Sequence, residues 1–71
     1  MSQDFLFKHI AEAERHVFEA QDFIRQQHEI IAQSRENGSD TTHAKRILDT
    51  TLGILAAHEQ HLAYLRRLMA K

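Results

Sequence analysis

The sequence predicts an all-α fold, an antiparallel two-helix hairpin that dimerises into a four-helix bundle. Two long runs show apolar residues at helical spacing, and one short turn signal separates them. Each run also carries more apolar surface than one neighbouring helix covers. We therefore interpret residues 1–71 as a single domain, with a helix over about 4–37, a turn at 37–40 and a helix over about 41–70.

The first predicted helix is amphipathic. Its main apolar row repeats every seven residues and consists of Ile10, Val17, Ile24 and Ile31. A second row follows three residues later in each repeat, and the opposite side is charged in every repeat. Phe23 and Ile30 widen the apolar stripe on one flank. Ser2 or Asp4 is the expected N-cap, because each side chain offers an oxygen to first-turn amides.

The stretch at residues 36–41 is the only break in the helical pattern, and the chain has no proline. Gly38 suits the C′ position, where a left-handed backbone is needed. Asp40 is the expected N-cap of the second helix, with Ser39 and Thr41 as alternatives. A connection this short makes the two helices antiparallel neighbours.

The second predicted helix repeats the design of the first. Its main row is Leu48, Leu55, Leu62 and Met69. The second row is Ala44, Thr51, His58 and Leu65, and the flank is Ile47, Ile54, His61 and Leu68. Gly53 falls on the outer side, where it costs about 1 kcal/mol relative to alanine.

A further apolar strip lies off the main stripe of each helix. It consists of Phe7, Ala11 and Phe18 in the first helix and of Leu52, Ala56 and Ala63 in the second. A core this small contributes only about 3–5 kcal/mol to the stability of the fold unless a disulfide, a metal ion or a second chain stabilises it further. Cysteine is absent, so disulfides are excluded. These observations predict a homodimer with twofold symmetry, in which Phe7, Phe18 and Leu52 join the apolar seam. A monomeric hairpin with exposed apolar surface is the alternative.

Charge is distributed unevenly along the chain. Residues 1–37 carry a net charge of −3 and residues 38–71 a net charge of +2, which gives −1 overall. The antiparallel register places Glu12 and Glu14 beside Arg66 and Arg67, so the two halves complement each other. The sequence thus favours neither nucleic acid nor membrane as a partner, although Lys45 and Arg46 with Arg66 and Arg67 offer a nucleic-acid alternative. No signal peptide is evident, and a cytoplasmic location is expected.

The histidines form the one candidate metal-binding cluster in the sequence. Imidazoles and carboxylates on facing helices are the ligands of metal sites in bundles. The candidates are His16, His58, His61 and Glu12, and the register is expected to put His61 beside His16. Polar layers that fix helix register are the favoured interpretation, and no metal or other cofactor is assigned.

The pairs His28-Glu29 and His58-Glu59 resemble the phospho-accepting His-Glu of histidine-kinase dimerisation domains, which are also dimeric helical hairpins. The Arg/Thr-Pro segment that follows in that motif is missing here. The resemblance implies phosphate acceptance as part of an alternative function.

Over nearly its whole length the chain resembles small helical-hairpin proteins of rhizobia and related alphaproteobacteria. The resemblance is carried by residues 13–16, 24–27, 31, 38–41, 47–48 and 58. It implies the hairpin fold and no particular activity. With no catalytic residue in sight, we expect a non-enzymatic interaction or scaffold module that acts through its helix surfaces. A His-bearing bundle that binds a divalent metal or accepts phosphate is the alternative.

Overall fold

The computed structural model describes residues 3–71, which form two α-helices and no strand. Helix α1 spans Gln3–Glu36 and helix α2 spans Thr42–Ala70. The helices run antiparallel in a rod of 54 × 14 × 13 Å. The all-α helical hairpin predicted from the sequence is thus confirmed. Asp4 lies inside the first turn of α1 and does not cap it, and Ser2 lies outside the described residues.

The turn is a Schellman motif centred on Gly38. The amide of Ser39 donates to the carbonyl of Ser34 at 2.8 Å, and the amide of Gly38 donates to that of Arg35 at 3.1 Å. Gly38 has φ +73°, a left-handed conformation that glycine adopts at little cost. The glycine therefore ends α1 and reverses the chain, as the sequence predicts.

Helix α2 is capped one residue later than expected. Thr41 is the N-cap residue, and its carbonyl accepts the Lys45 amide at 2.9 Å. Asp40 lies just outside the helix and accepts the Thr42 amide at 2.9 Å and the Thr42 hydroxyl at 2.7 Å. Those two hydrogen bonds hold the pKa of the Asp40 carboxyl below its usual range. The expectation for Asp40 as N-cap was therefore wrong by one residue, because its side chain caps Thr42 from outside the helix.

The seam between the helices is apolar at the open end of the hairpin, where the two chain ends lie. Its buried members there are Leu6, Ala13, Leu62 and Leu65. Half-buried Ile10, Val17, Leu68 and Met69 pack against that cluster. In α1 the second row is the more deeply buried one, since its small alanines allow the helices to approach closely.

Toward the turn, the buried positions include one large apolar residue, and the others are small or polar. They are Ala20, Gln27, Ile31 and Thr51. The Thr51 hydroxyl donates to the Ile47 carbonyl at 2.8 Å, which satisfies it within its own helix. Half-buried Ile24, Leu48 and Leu55 lie beside them, so Ile31 is the one large apolar side chain that is buried in this half of the seam.

Candidate interaction surface

The two sides of the seam are distinguished by one ion pair. Arg66 Nη2 lies 3.4 Å from Glu14 Oε2, and both side chains are more than half exposed. This contact confirms the expected complementarity between the acidic start of α1 and the basic end of α2. Phe7 is one heptad before Glu14 and Leu52 is two heptads before Arg66, so both lie on that side. We call this side the ion-pair face.

The opposite side of the seam carries three of the six histidines. Stepping by heptads gives His9, His16, Phe23 and Ile30 on α1 and Ile47, Ile54, His61 and Leu68 on α2. We call this set the histidine face. The ring of His16 lies 5.2 Å from that of His58, centroid to centroid, with the planes tilted by 42°. His58 belongs to the seam row, so this ring contact links the histidine face to the seam.

Large apolar side chains are exposed on the histidine face, toward the turn. Phe23, Ile30 and Ile54 are 40%, 45% and 48% exposed, while Ile47 is half-buried. Each exposed member lies three or four residues from a buried seam residue: Phe23 and Ile30 flank Gln27, and Ile54 follows Thr51. The apolar surface is therefore continuous with the seam.

Phe18 has a different setting. It is 69% exposed, and its helical neighbours include Gln21, Asp22 and Arg25, with which it lines an open depression. Asp22 accepts hydrogen bonds from Arg25 and Gln26, and the bond that Arg25 donates to Asp22 raises the pKa of the Arg25 guanidinium. Phe18 is thus an isolated aromatic ring in a charged surface. The depression is lined by one helix alone and is not a substrate pocket.

The residues predicted for the seam separate into three groups. Ile31 and Leu62 are buried. Half-buried are Ile10, Val17, Ile24, Leu48 and Leu55. Phe7, Phe18 and Leu52 are exposed in the hairpin, as a strip off the main stripe would be. Their burial by a second chain stays a prediction.

The histidine candidates are arranged differently from the prediction. His58, not His61, provides the ring that contacts His16, because His58 lies in the seam row and His61 on its outer edge. His61 and Glu12 are both exposed. Among residues 3–71 no three or more His, Cys, Asp or Glu side chains gather in a way that could hold a metal ion. The structure therefore brings together two of the four candidate ligands.

The basic candidates for nucleic-acid contact lie at opposite ends of α2. Lys45 and Arg46 are near the turn, while Arg66 and Arg67 are near the open end, and all four are exposed. Arg66 is engaged by Glu14. The four cations therefore do not form one continuous patch. Neither of the two helices, which together account for most of residues 3–71, is long and apolar enough to cross a membrane.

Comparison with family profiles, with curated proteins and with solved structures finds no match to this chain. The resemblance to the hairpin proteins of rhizobia and related alphaproteobacteria therefore stays a prediction.

Sequence reasoning overlooked the histidine face as a separate surface. Phe23, Ile30 and Ile54 were interpreted as a flank that widens the seam. These three residues differ from seam residues because each lies one helical turn from a buried seam residue but is itself exposed. A seam lined here by Gln27 and Thr51 leaves these larger side chains outside it.

Proposed function

We propose that this protein is a non-enzymatic, cytoplasmic interaction module that works as a homodimer, with two hairpins packed into a four-helix bundle. In this function the helix surfaces do the work. The dimer presents a rigid rod of helices, and a protein partner binds the surface that the dimer leaves exposed. Neither a nucleic acid nor a membrane is part of the proposal.

The accessible surface of the single chain carries this proposal. The hairpin exposes 5407 Å². A compact monomer of 8.3 kDa is expected to expose only about 4,600 Å², from the scaling of surface with mass. The surplus is about 800 Å², which matches the roughly 800 Å² that each partner buries in a standard protein interface. One copy of the chain is therefore the right size to remove the surplus from another.

The composition of the exposed surface supports the same conclusion. Within residues 3–71, eight large apolar side chains are at least 40% exposed: Phe5, Phe7, Phe18, Phe23, Ile30, Leu52, Ile54 and Tyr64. Single exposed apolar residues are ordinary, but a concentration of this kind on a small chain marks an interaction surface.

The test is the mass of the untagged protein by sedimentation equilibrium between about 1 and 100 μM. The proposal expects twice the chain mass of 8.3 kDa over the upper part of this range, with dissociation on dilution. A mass of 8.3 kDa at every concentration contradicts it.

A second function is favoured by the His16–His58 contact. Metal–nitrogen distances near 2.0–2.1 Å in tetrahedral geometry place two coordinated imidazole centroids roughly 5 Å apart. The observed separation is 5.2 Å, so the pair has the spacing of two ligands of one Zn²⁺, with water in the remaining positions. This function does not need the dimer.

Calorimetric titration of Zn²⁺ into the untagged protein tests this second function. Wild type is expected to bind one equivalent per chain. His16→Gln and His58→Gln are expected to abolish binding, while His28→Gln, which alters an exposed histidine outside the pair, leaves it unchanged. Equal binding by all four proteins, or none by wild type, removes the metal function.

A further inference from the structure

We propose that the second copy of the chain covers the histidine face, and that the ion-pair face stays outside the dimer. The inference rests on the proposed homodimer and names its interface. The sequence alone had pointed to Phe7, Phe18 and Leu52 as the residues that a second copy buries. The contacts of the folded hairpin favour the other side.

Charge separates the two faces. None of the eight positions of the histidine face is lysine, arginine, aspartate or glutamate. The ion-pair face carries the Glu14–Arg66 pair across the seam, with both side chains in contact with solvent. A second chain packed on that face would have to desolvate the pair, and the loss of hydration often exceeds the attraction between the two charges. No comparable cost opposes burial of the histidine face, whose polar members are imidazoles.

The two faces also differ in how far their apolar residues are continuous with the seam. In a four-helix bundle each helix packs against two neighbours, so its apolar arc must extend sideways from the first contact to the second. Phe23 and Ile54 extend the arc in this way, because each is one helical turn from a buried seam residue. Phe18 does not, since the residues one turn away from it are Glu14, Arg15, Gln21 and Asp22. Phe7 and Leu52 lie one turn from seam residues that are only half-buried.

Height along the rod gives a third reason. Phe23 and Ile54 are equally distant from the centre of the turn, and so are Ile30 and Ile47. The antiparallel hairpin therefore places these four residues in two adjacent layers. Beneath them the seam holds buried Gln27 and Thr51. A second chain packed here would cover the large apolar side chains that this half of the hairpin leaves exposed.

Two residues of α2 allow a matched experiment. Leu52 and Ile54 are 45% and 48% exposed, lie two residues apart and belong to opposite faces. Both are changed to glutamate in separate variants, and the mass of each variant is measured by sedimentation. Ile54→Glu is expected to be monomeric at concentrations where wild type is dimeric, and Leu52→Glu is expected to remain dimeric. Phe23→Glu and Phe18→Glu repeat the comparison on α1.

Alanine variants test the same two positions with less risk of unfolding the chain. Ile54→Ala is expected to raise the dimer dissociation constant about tenfold, as removal of a central contact does, while Leu52→Ala changes it less than twofold. Helicity is followed by circular dichroism at a concentration where each variant is folded.

The outcomes separate this inference from the proposed function. A dimeric wild type that Leu52→Glu dissociates and Ile54→Glu does not overturns the interface and leaves the homodimer standing. Equal dissociation by the two variants also overturns the assignment to one face. A monomeric wild type overturns both the interface and the proposed homodimer.

Discussion

The two halves of the hairpin are stabilised differently. At the open end, large leucines and small alanines of both helices bury one another: Leu6, Ala13, Leu62 and Leu65 form a contiguous apolar cluster. Toward the turn, Gln27 and Thr51 occupy the seam, and the larger Phe23, Ile30 and Ile54 lie at its edge, 40–48% exposed. The open end therefore buries three large apolar side chains between the helices, whereas the turn half buries one, Ile31.

This difference shows that a single chain does not satisfy its whole apolar pattern. A hairpin that is stable and functional as a monomer would place its largest apolar side chains in the seam along its whole length. The turn half instead has two polar residues in its seam and large apolar residues at its edge, which is the arrangement expected where a further helix packs alongside. Buried polar layers of this kind are also used to fix register and partner number in helical assemblies.

The largest expected effect comes from the open-end cluster. Leu65→Ala should destabilise the chain by about 2–5 kcal/mol, because it truncates a buried side chain and leaves a cavity. Leu48→Ala, the same substitution at a half-buried position near the turn, should cost about 1–2 kcal/mol in the same helix. Urea denaturation at one protein concentration measures both. If Leu48→Ala costs as much as Leu65→Ala, the two halves are equally complete and the contrast between them is wrong.

The glycines provide an opposed pair of smaller effects. Gly38→Ala should lower stability by about 1 kcal/mol, because its positive φ disfavours any side chain. Gly53→Ala should raise stability by about 1 kcal/mol, since Gly53 is helical and exposed. An added Cβ meets nothing within 4 Å at either site, so backbone conformation alone decides the sign. Melting temperatures that shift by several degrees in opposite directions confirm this account, and shifts of the same sign contradict it.

Much of this architecture could be predicted from the sequence, for identifiable reasons. The heptad rows indicate two helices, and Gly38 is the only glycine in the single break between them. The short turn predicts the antiparallel register, and that register places Glu14 beside Arg66. These features depend on local spacing, which periodicity reports directly.

The remaining features depend on packing that periodicity does not determine. Rotation of α2 about its axis decides whether His58 or His61 meets His16, and one helical turn separates these two residues. The start of α2 depends on which side-chain oxygen reaches the Thr42 amide, and both Asp40 and Thr41 offer one. The choice of face depends on which apolar residues the seam leaves exposed. That choice is visible only once Gln27 and Thr51 are found in the seam.

The Glu14–Arg66 pair on the ion-pair face should contribute little to the stability of the fold. A double-mutant cycle on Glu14→Gln and Arg66→Gln should give a coupling energy below about 1 kcal/mol, because both side chains are exposed. The coupling should shrink as salt is raised from about 0.05 M to 0.5 M, through screening. A coupling that is large and independent of salt would mean that this face is buried in the dimer, which would contradict the assignment of the interface.

The smallest expected effect is at the turn. The pKa of Asp40 is lowered by hydrogen bonds from Thr42, so its ionised form stabilises the folded state. That contribution is present above the unfolded value near pH 4 and is lost as pH falls through the lower folded value. Asp40→Asn should therefore lower the melting temperature more at pH 7 than at about pH 3. An equal change at both pH values would show that the charge is not responsible.

The most direct test of the central claim, that a second chain completes the turn half, is isotope-filtered NMR. Labelled and unlabelled protein are mixed so that only contacts between chains give signals. We expect intermolecular contacts from the Ile30 and Ile54 methyl groups and from the Phe23 ring. Intermolecular contacts confined to Phe7, Phe18 and Leu52, or no such contacts in a concentrated sample, would contradict the claim.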